Sequence, residues 1–293
     1  MALRQARYLR MSHSTKLRVS EQDRSPRLGP IIVAENIRKA YGGEDSTEVV
    51  ALDGLNLEIL SGEFLSIVGP SGCGKSTFLN MVAGLDAPDS GRLLLGGAEI
   101  RGPGPDRGMC FQEYALFPWM TVFENVEFGP RARNADRRLR KETVRYYIDM
   151  VGLSGFENRF PSQLSGGMKQ RCALARMLAN DPSFLLMDEP LAAVDSQTRV
   201  LLQTEIAKIW AAENEAGRRR TVLWITHSIE EAVFLSDRVA VMSRRPGRVI
   251  EIVDIPLQRP RNEVLHADAI AAELCERIWS LIRDQAKDAM MEA

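Results

Sequence analysis

Cysteine is scarce in this sequence: there are four in 293 residues, Cys73, Cys110, Cys172 and Cys275, and none stands in a CxxC or Cys/His spacing. Neither a disulfide framework nor a structural zinc site can hold such a chain together, and a reducing cytosol fits it best. An excess of one charge is also lacking. Lys and Arg total 38 against 39 Asp and Glu, a formal net charge of −1. No global field therefore recruits nucleic acid or anionic lipid, and any polyanion site must be local. Nor does any run approach the roughly 18 consecutive apolar residues of a spanning helix. The most apolar runs, residues 64–68 and 221–226, have the length of buried strands. Residues 1–30 carry seven cations (Arg4, Arg7, Arg10, Lys16, Arg18, Arg24, Arg27) against Glu21 and Asp23, without the apolar stretch of a secretory signal. They read as a flexible basic extension, with a transit peptide as the alternative.

What is present is enough apolar surface, 45% of residues, for one large α/β unit with extensions at both ends. Short apolar segments at residues 31–34, 50–59 and 64–68 read as strands, and the last runs into a Gly-rich turn and then a helical pattern. Segments 184–187 and 222–225 are further buried strands, each followed by a helical stretch, which predicts a mainly parallel sheet covered on both faces. Segments 237–242 and 249–253 continue it towards an edge. From about 112 to 161 the texture becomes helical and rich in arginine (Arg131, Arg133, Arg137, Arg138, Arg140, Arg145), as an inserted subdomain would be. Asp136 and Glu142 interleave with these cations, so the run reads as a solvated face. Ile270, Leu274, Ile278, Leu281 and Ile282 recur at helical spacing and predict an amphipathic helix over about 267–284.

Three segments carry chemistry. The first, Gly69-Pro70-Ser71-Gly72-Cys73-Gly74-Lys75-Ser76-Thr77, matches G-x-x-x-x-G-K-[ST] and lies between a strand and a helix, as that motif requires. Its glycines let backbone N–H groups converge on phosphate oxygens at a positive helix end. Lys75 is expected to reach the β- and γ-phosphates of ATP, and Ser76 to offer its hydroxyl to Mg²⁺. The second segment is a strand, residues 184–187, that ends in two adjacent carboxylates. Asp188 is placed to hold Mg²⁺ directly or through water, and Glu189, facing the other way on an extended chain, to polarise the water that attacks the γ-phosphate. The third, Leu164-Ser165-Gly166-Gly167-Met168-Lys169-Gln170-Arg171, heads another helix. Alone it is no more than a helix cap.

In this order the three segments resemble the nucleotide-binding subunits of ATP-binding-cassette (ABC) transporters. The resemblance covers about 31–256, with 257–293 left as a C-terminal helix and tail. It implies a P-loop NTPase core with a mainly parallel sheet, antiparallel β elements and an inserted helical subdomain. It also implies a head-to-tail homodimer in which Ser165, Gly166 and Gly167 complete the ATP site of the other subunit. By the same resemblance Tyr41 would stack on adenine, Gln112 would contact Mg²⁺ and water, Asp195 would lie in the loop that meets the partner, and His227 would hold the γ-phosphate. Two departures, Met168 for the commoner Gln and Val194 for Leu, touch no phosphate or metal ligand. The segments 111–122 and 242–248 are similar to those of bacterial importers of nitrate, aliphatic sulfonates and taurine. Such a subunit would sit at the cytoplasmic face of the inner membrane on a permease, served indirectly by an extracytoplasmic solute-binding protein, with Leu116, Phe117 and Trp119 either a cluster that docks the permease or part of the core of the helical subdomain. A soluble cassette ATPase outside transport is the alternative. Against it, Ser165 follows Gly69 by only 96 positions, too few for the coiled-coil insertion of repair ATPases, and there is one cassette where translation factors have two.

Overall fold

The computed structural model describes residues 29–42, 48–215, 220–259, 261 and 269–291. The basic extension expected at 1–30 lies outside them apart from its last two positions. In chain order come β1 (Pro30–Tyr41), β2 (Val49–Leu60), β3 (Phe64–Val68), α1 (Lys75–Ala83), β4 (Ser90–Leu95), β5 (Ala98–Glu99) and β6 (Arg107–Cys110). Then follow α2 (Val122–Ala132), α3 (Arg137–Met150), α4 (Gly166–Ala179), β7 (Phe184–Asp188), α5 (Ser196–Glu215) and β8 (Thr221–Ile225). The last elements are α6 (Ile229–Leu235), β9 (Arg238–Met242), β10 (Val249–Asp254) and α7 (Ala269–Met291).

Two sheets result. One is six-stranded, in the order β10-β9-β3-β8-β7-β6, parallel except for β10, which pairs antiparallel with β9 at the edge. The other is four-stranded and antiparallel, in the order β2-β1-β4-β5. The continuous apolar runs of β7 and β8 are buried on both faces, and alternate residues serve different cores. Leu185, Met187, Val222 and Trp224 face a core shared with α4, α5 and the helical layer of α2 and α3. Leu186, Leu223 and Ile225 face a core shared with α1 and the antiparallel sheet. A third core joins β9 and β10 to α6 and α7.

The helical layer extends past the expected limit at 161, because α4 packs on α2 and α3 as well as on β6. Its Gly166 and Gly167 belong to the first turn of α4, so the segment 164–171 is already helical from Gly166 on. Strands β4, β5 and β6 carry no signal in the sequence pattern, being short and, in β4 and β5, largely exposed. At the C-terminus the apolar stripe of α7 packs as expected at Leu274, Ile278, Leu281 and Ile282, but Ile270 is exposed while Ala271 is buried. The small Ala271 faces the core instead, and lets the helix lie close to α6 and β9.

Candidate active site

Strands β3, β6, β7 and β8 are mutually parallel, so their C-terminal ends share one edge of the sheet, where ligands of open α/β sheets bind. Each end delivers an expected site residue. The loop 69–74 follows β3, Gln112 follows β6, Asp188 ends β7 with Glu189 behind it, and His227 follows β8.

The loop after β3 turns into α1 at Gly74, whose φ of 102° is left-handed and favours glycine. A Cβ there would also lie 2.5 Å from Leu52 Cδ2 and 2.9 Å from the Ala51 carbonyl, so β2 packs directly against the loop. Ser71 and Gly72 form the exposed crest, with Pro70 partly covered. Lys75 is 5% exposed, and its ammonium donates to the Gly69 and Pro70 carbonyls, each at 2.9 Å. The cation thus lies under the loop beside the unpaired N–H groups of the first turn of α1. The Cys73 Sγ is 3.8 Å from that ammonium, yet burial pushes its thiol up, so Cys73 is packing and no nucleophile.

Asp188 shares the strand face of Phe184 and Leu186, which points at α1. Burial pushes its carboxyl above the usual range, and the charge of Glu189 adds to that against the Ser76 hydroxyl and Lys75. Its Oδ1 is buried with no hydrogen-bond partner. Among the described residues no three His, Cys, Asp or Glu gather as a metal site of their own. One orphaned carboxylate oxygen beside a serine hydroxyl nevertheless fits Mg²⁺, which takes few protein ligands and completes its shell with water and phosphate oxygens. Asp188 and Gln112 line the same cavity of about 350 Å³, with Asn80 and Glu113. Asn80 was not foreseen, although it stands four residues after Ser76 and so on the same face of α1.

Glu189 corrects an expectation. It does not continue the extended chain but turns left-handed, with φ at 47°. The turn carries its carboxylate to His227, whose Nε2 donates to Glu189 Oε1 at 2.6 Å. His227 is half-exposed at 47%, so the pair opens to solvent at the strand edge.

The remaining residues are more dispersed. Tyr41 ends β1, 44% exposed; its hydroxyl donates to Asp86 Oδ2 at 2.8 Å, and the Lys39 ammonium lies 5.4 Å from its ring. Burial pushes the phenol up, aided by Asp86, while the Thr77 hydroxyl pulls the other way, so the ring sits at the start of α1. Ser165 caps α4, accepting from the Met168 N–H at 3.3 Å, and is exposed together with Gly166. Gly167 passes so close to the next loop that a Cβ would lie 2.9 Å from the Ala193 carbonyl. Asp195 caps α5 through the Thr198 N–H at 2.9 Å, and that bond holds its carboxyl below the usual range. The segment after Gln112 is pinned from beneath. Arg176 donates to the Ala115 carbonyl at 2.7 Å, and the fully buried Asn125 accepts from the Phe117 N–H and donates to the Phe117, Met120 and Thr121 carbonyls.

The profile of the ABC transporter family matches residues 52–192. An uncharacterised ABC transporter ATP-binding protein of Methanocaldococcus jannaschii is 51% identical over 86% of this chain and 91% of its own length. This chain belongs to the ABC transporter family, as an ATP-binding subunit. The taurine import ATP-binding protein of Roseobacter denitrificans is 47% identical over 75% of this chain and 81% of that one. The nitrate import ATP-binding protein of Synechocystis sp. is 48% identical over 73% and 80%. A solved dimeric ATP-binding cassette in a post-hydrolysis state, bound to ADP and Pi, matches with a TM-score of 0.69 at 32% identity, over 78% of this chain and all of that one. The ABC nucleotide-binding fold is thus common to both, and the subunit hydrolyses ATP. Among its described residues no helix is long and apolar enough to cross a membrane.

Proposed function

We propose that this ABC subunit works as a head-to-tail homodimer that energises solute import through a separate permease at the cytoplasmic face of a bacterial inner membrane. The observation that carries the reading is the split of the site. Lys75, Ser76, Gln112, Asp188, Glu189 and His227 stand on one sheet edge, whereas Ser165 and Gly166 are exposed at the head of α4, a helix packed over β6. Ser165 spends its hydroxyl on the Met168 N–H of its own helix. A second copy turned head to tail brings its Ser165, Gly167 and Asp195 to the phosphates held by the loop 69–76.

In this arrangement Tyr41 stacks on adenine, and the amides of residues 70–77 with Lys75 hold the phosphates. Magnesium, held by Ser76, Asp188 and Gln112, would neutralise charge on the β- and γ-phosphate oxygens. Glu189 takes a proton from the attacking water, and His227 fixes both that carboxylate and the γ-phosphate. The γ-phosphate is shared across the interface, so ATP favours the closed pair and its hydrolysis releases it.

The membrane-facing surface is the pinned segment after Gln112. Trp119 is 69% exposed there, and Phe117 lies 4.6 Å from Phe128 and 5.9 Å from Trp119, between ring centroids. Such an aromatic cluster, held in place by Asn125 and Arg176, suits the apolar face of a permease helix. Relatives of nearly equal identity are named for taurine and for nitrate, which singles out neither solute; in the proposed arrangement the permease and the binding protein select it. Nitrate, a sulfonate, taurine or a similar small solute is the class proposed. Isolation of the tagged subunit from its own cells in mild detergent tests the reading. A polytopic permease should come with it, and Trp119→Ala should lose that permease while keeping ATPase activity. Recovery only as a soluble species, with no membrane fraction, would favour a cassette ATPase outside transport.

A further inference from the structure

Glu189 turns left-handed and Pro190, next in the chain, has no N–H to anchor the turn; the Glu189 N–H donates to the Ile225 carbonyl at 3.0 Å, and the Glu189 carbonyl is the acceptor on the other side. A left-handed backbone is disfavoured at a residue with a side chain, so other contacts must hold it. That carbonyl accepts from the Ala192 N–H at 3.2 Å and, more tightly, from the side chain of Gln170 at 2.8 Å. The same Gln170 amide accepts from the Ala193 N–H at 2.8 Å. Gln170 is 1% exposed, and its oxygen and nitrogen both serve the segment 189–193, one at each end. Gln170 lies in α4, five positions after Ser165.

We infer that Gln170 is the positioning residue for Glu189: its amide clamps both ends of the 189–193 turn and thereby aims the Glu189 carboxylate at the water. The assignment rests on the reading of Glu189 as the water-activating carboxylate. Gln170 itself touches neither nucleotide nor water. Deleting the amide releases the turn, strands the Ala193 N–H and lets the carboxylate drift from His227.

The test compares Gln170→Met, which keeps the shape without the hydrogen bonds, and Gln170→Glu, which keeps the acceptor for Ala193 but sets an acceptor against the Glu189 carbonyl. Both are assayed in the full-length protein, alone and combined with Glu189→Gln. Equilibrium ATP binding and KM should stay within about twofold of wild type while kcat falls about ten- to a hundredfold, the scale of a misplaced catalytic group. In the Glu189→Gln background neither substitution should lower the residual rate further. A purely structural role would instead weaken binding and turnover together in both backgrounds. Wild-type kcat in the folded variants, an equal fall in ATP affinity, or an additive loss on top of Glu189→Gln each overturns the proposal. If Gln170→Met does not fold, Gln170→Glu carries the same criteria. Wild-type turnover by Glu189→Gln alone would instead remove the reading of Glu189, and is distinguished by that single variant.

Discussion

Asp188 keeps a carboxyl where its charge is costly. Burial pushes it above its ordinary 3.8, so the fold holds that proton more tightly than the unfolded chain does. The sign follows: ionised Asp188 destabilises the fold, the cost is absent below about pH 4, and it grows as pH rises through the folded value and stays at neutrality. Asp188→Asn removes the cost together with the ligand. At pH 7 without nucleotide the variant should melt above wild type. That advantage should vanish near pH 4, while ATPase activity falls by at least about a hundredfold. Melting curves across pH check it, and an Asn variant that melts lower than wild type at pH 7 contradicts it. The His227–Glu189 contact makes the same point in another form, because the carboxylate proposed to activate water is carried by a left-handed turn that no folding preference favours.

The elements that hold these residues differ in how they are secured. Helix α6 starts two positions after His227, capped by Ser228, and ends on Arg261. That guanidinium is 8% exposed and donates to the carbonyls of Val233, Phe234, Ser236, Ile255 and Leu257. Burial pulls it down to about 10, so it remains a cation at neutral pH, well placed at a helix C-terminus. Arg261→Leu leaves those carbonyls without their donor. Urea unfolding should show a loss of about 2–3 kcal/mol, with Arg261→Lys recovering only part, and a loss below about 0.5 kcal/mol would contradict this role. Nothing in the sequence marks Arg261, since its partners are 4 to 28 positions away. Elements of another kind were legible. Strands β3, β7 and β8 read as apolar runs because every one of their residues is buried, and the loop 69–76 reads from its glycines and their place between strand and helix. Strand β4 did not, with its first three residues exposed, nor did β6, which carries Arg107 and Gly108. Gln170 stayed hidden for the reason Arg261 did, because its meaning lies in bonds to residues 19 and 23 positions on.

For the whole molecule the proposed homodimer makes the loop 69–76 one half of a site, with Ser165 in the other half. A monomer would bind ATP and turn it over poorly, and a net charge of −1 puts little long-range repulsion between two copies. The arrangement predicts that damage on opposite halves is complementary. Lys75→Ala should remove phosphate binding from a subunit's own site, and Ser165→Arg should spoil the site that the same subunit completes for its partner. Each variant alone should be inactive. In a mixed dimer one site carries both defects and the other carries none. The decisive measurement is therefore the ATPase rate of the two inactive variants mixed in equal amounts. Recovery to about a quarter of the wild-type rate is expected, since half the dimers are mixed and each has one complete site of two. A mixture as inactive as its components, although ultracentrifugation finds the mixed dimer, would contradict the head-to-tail site.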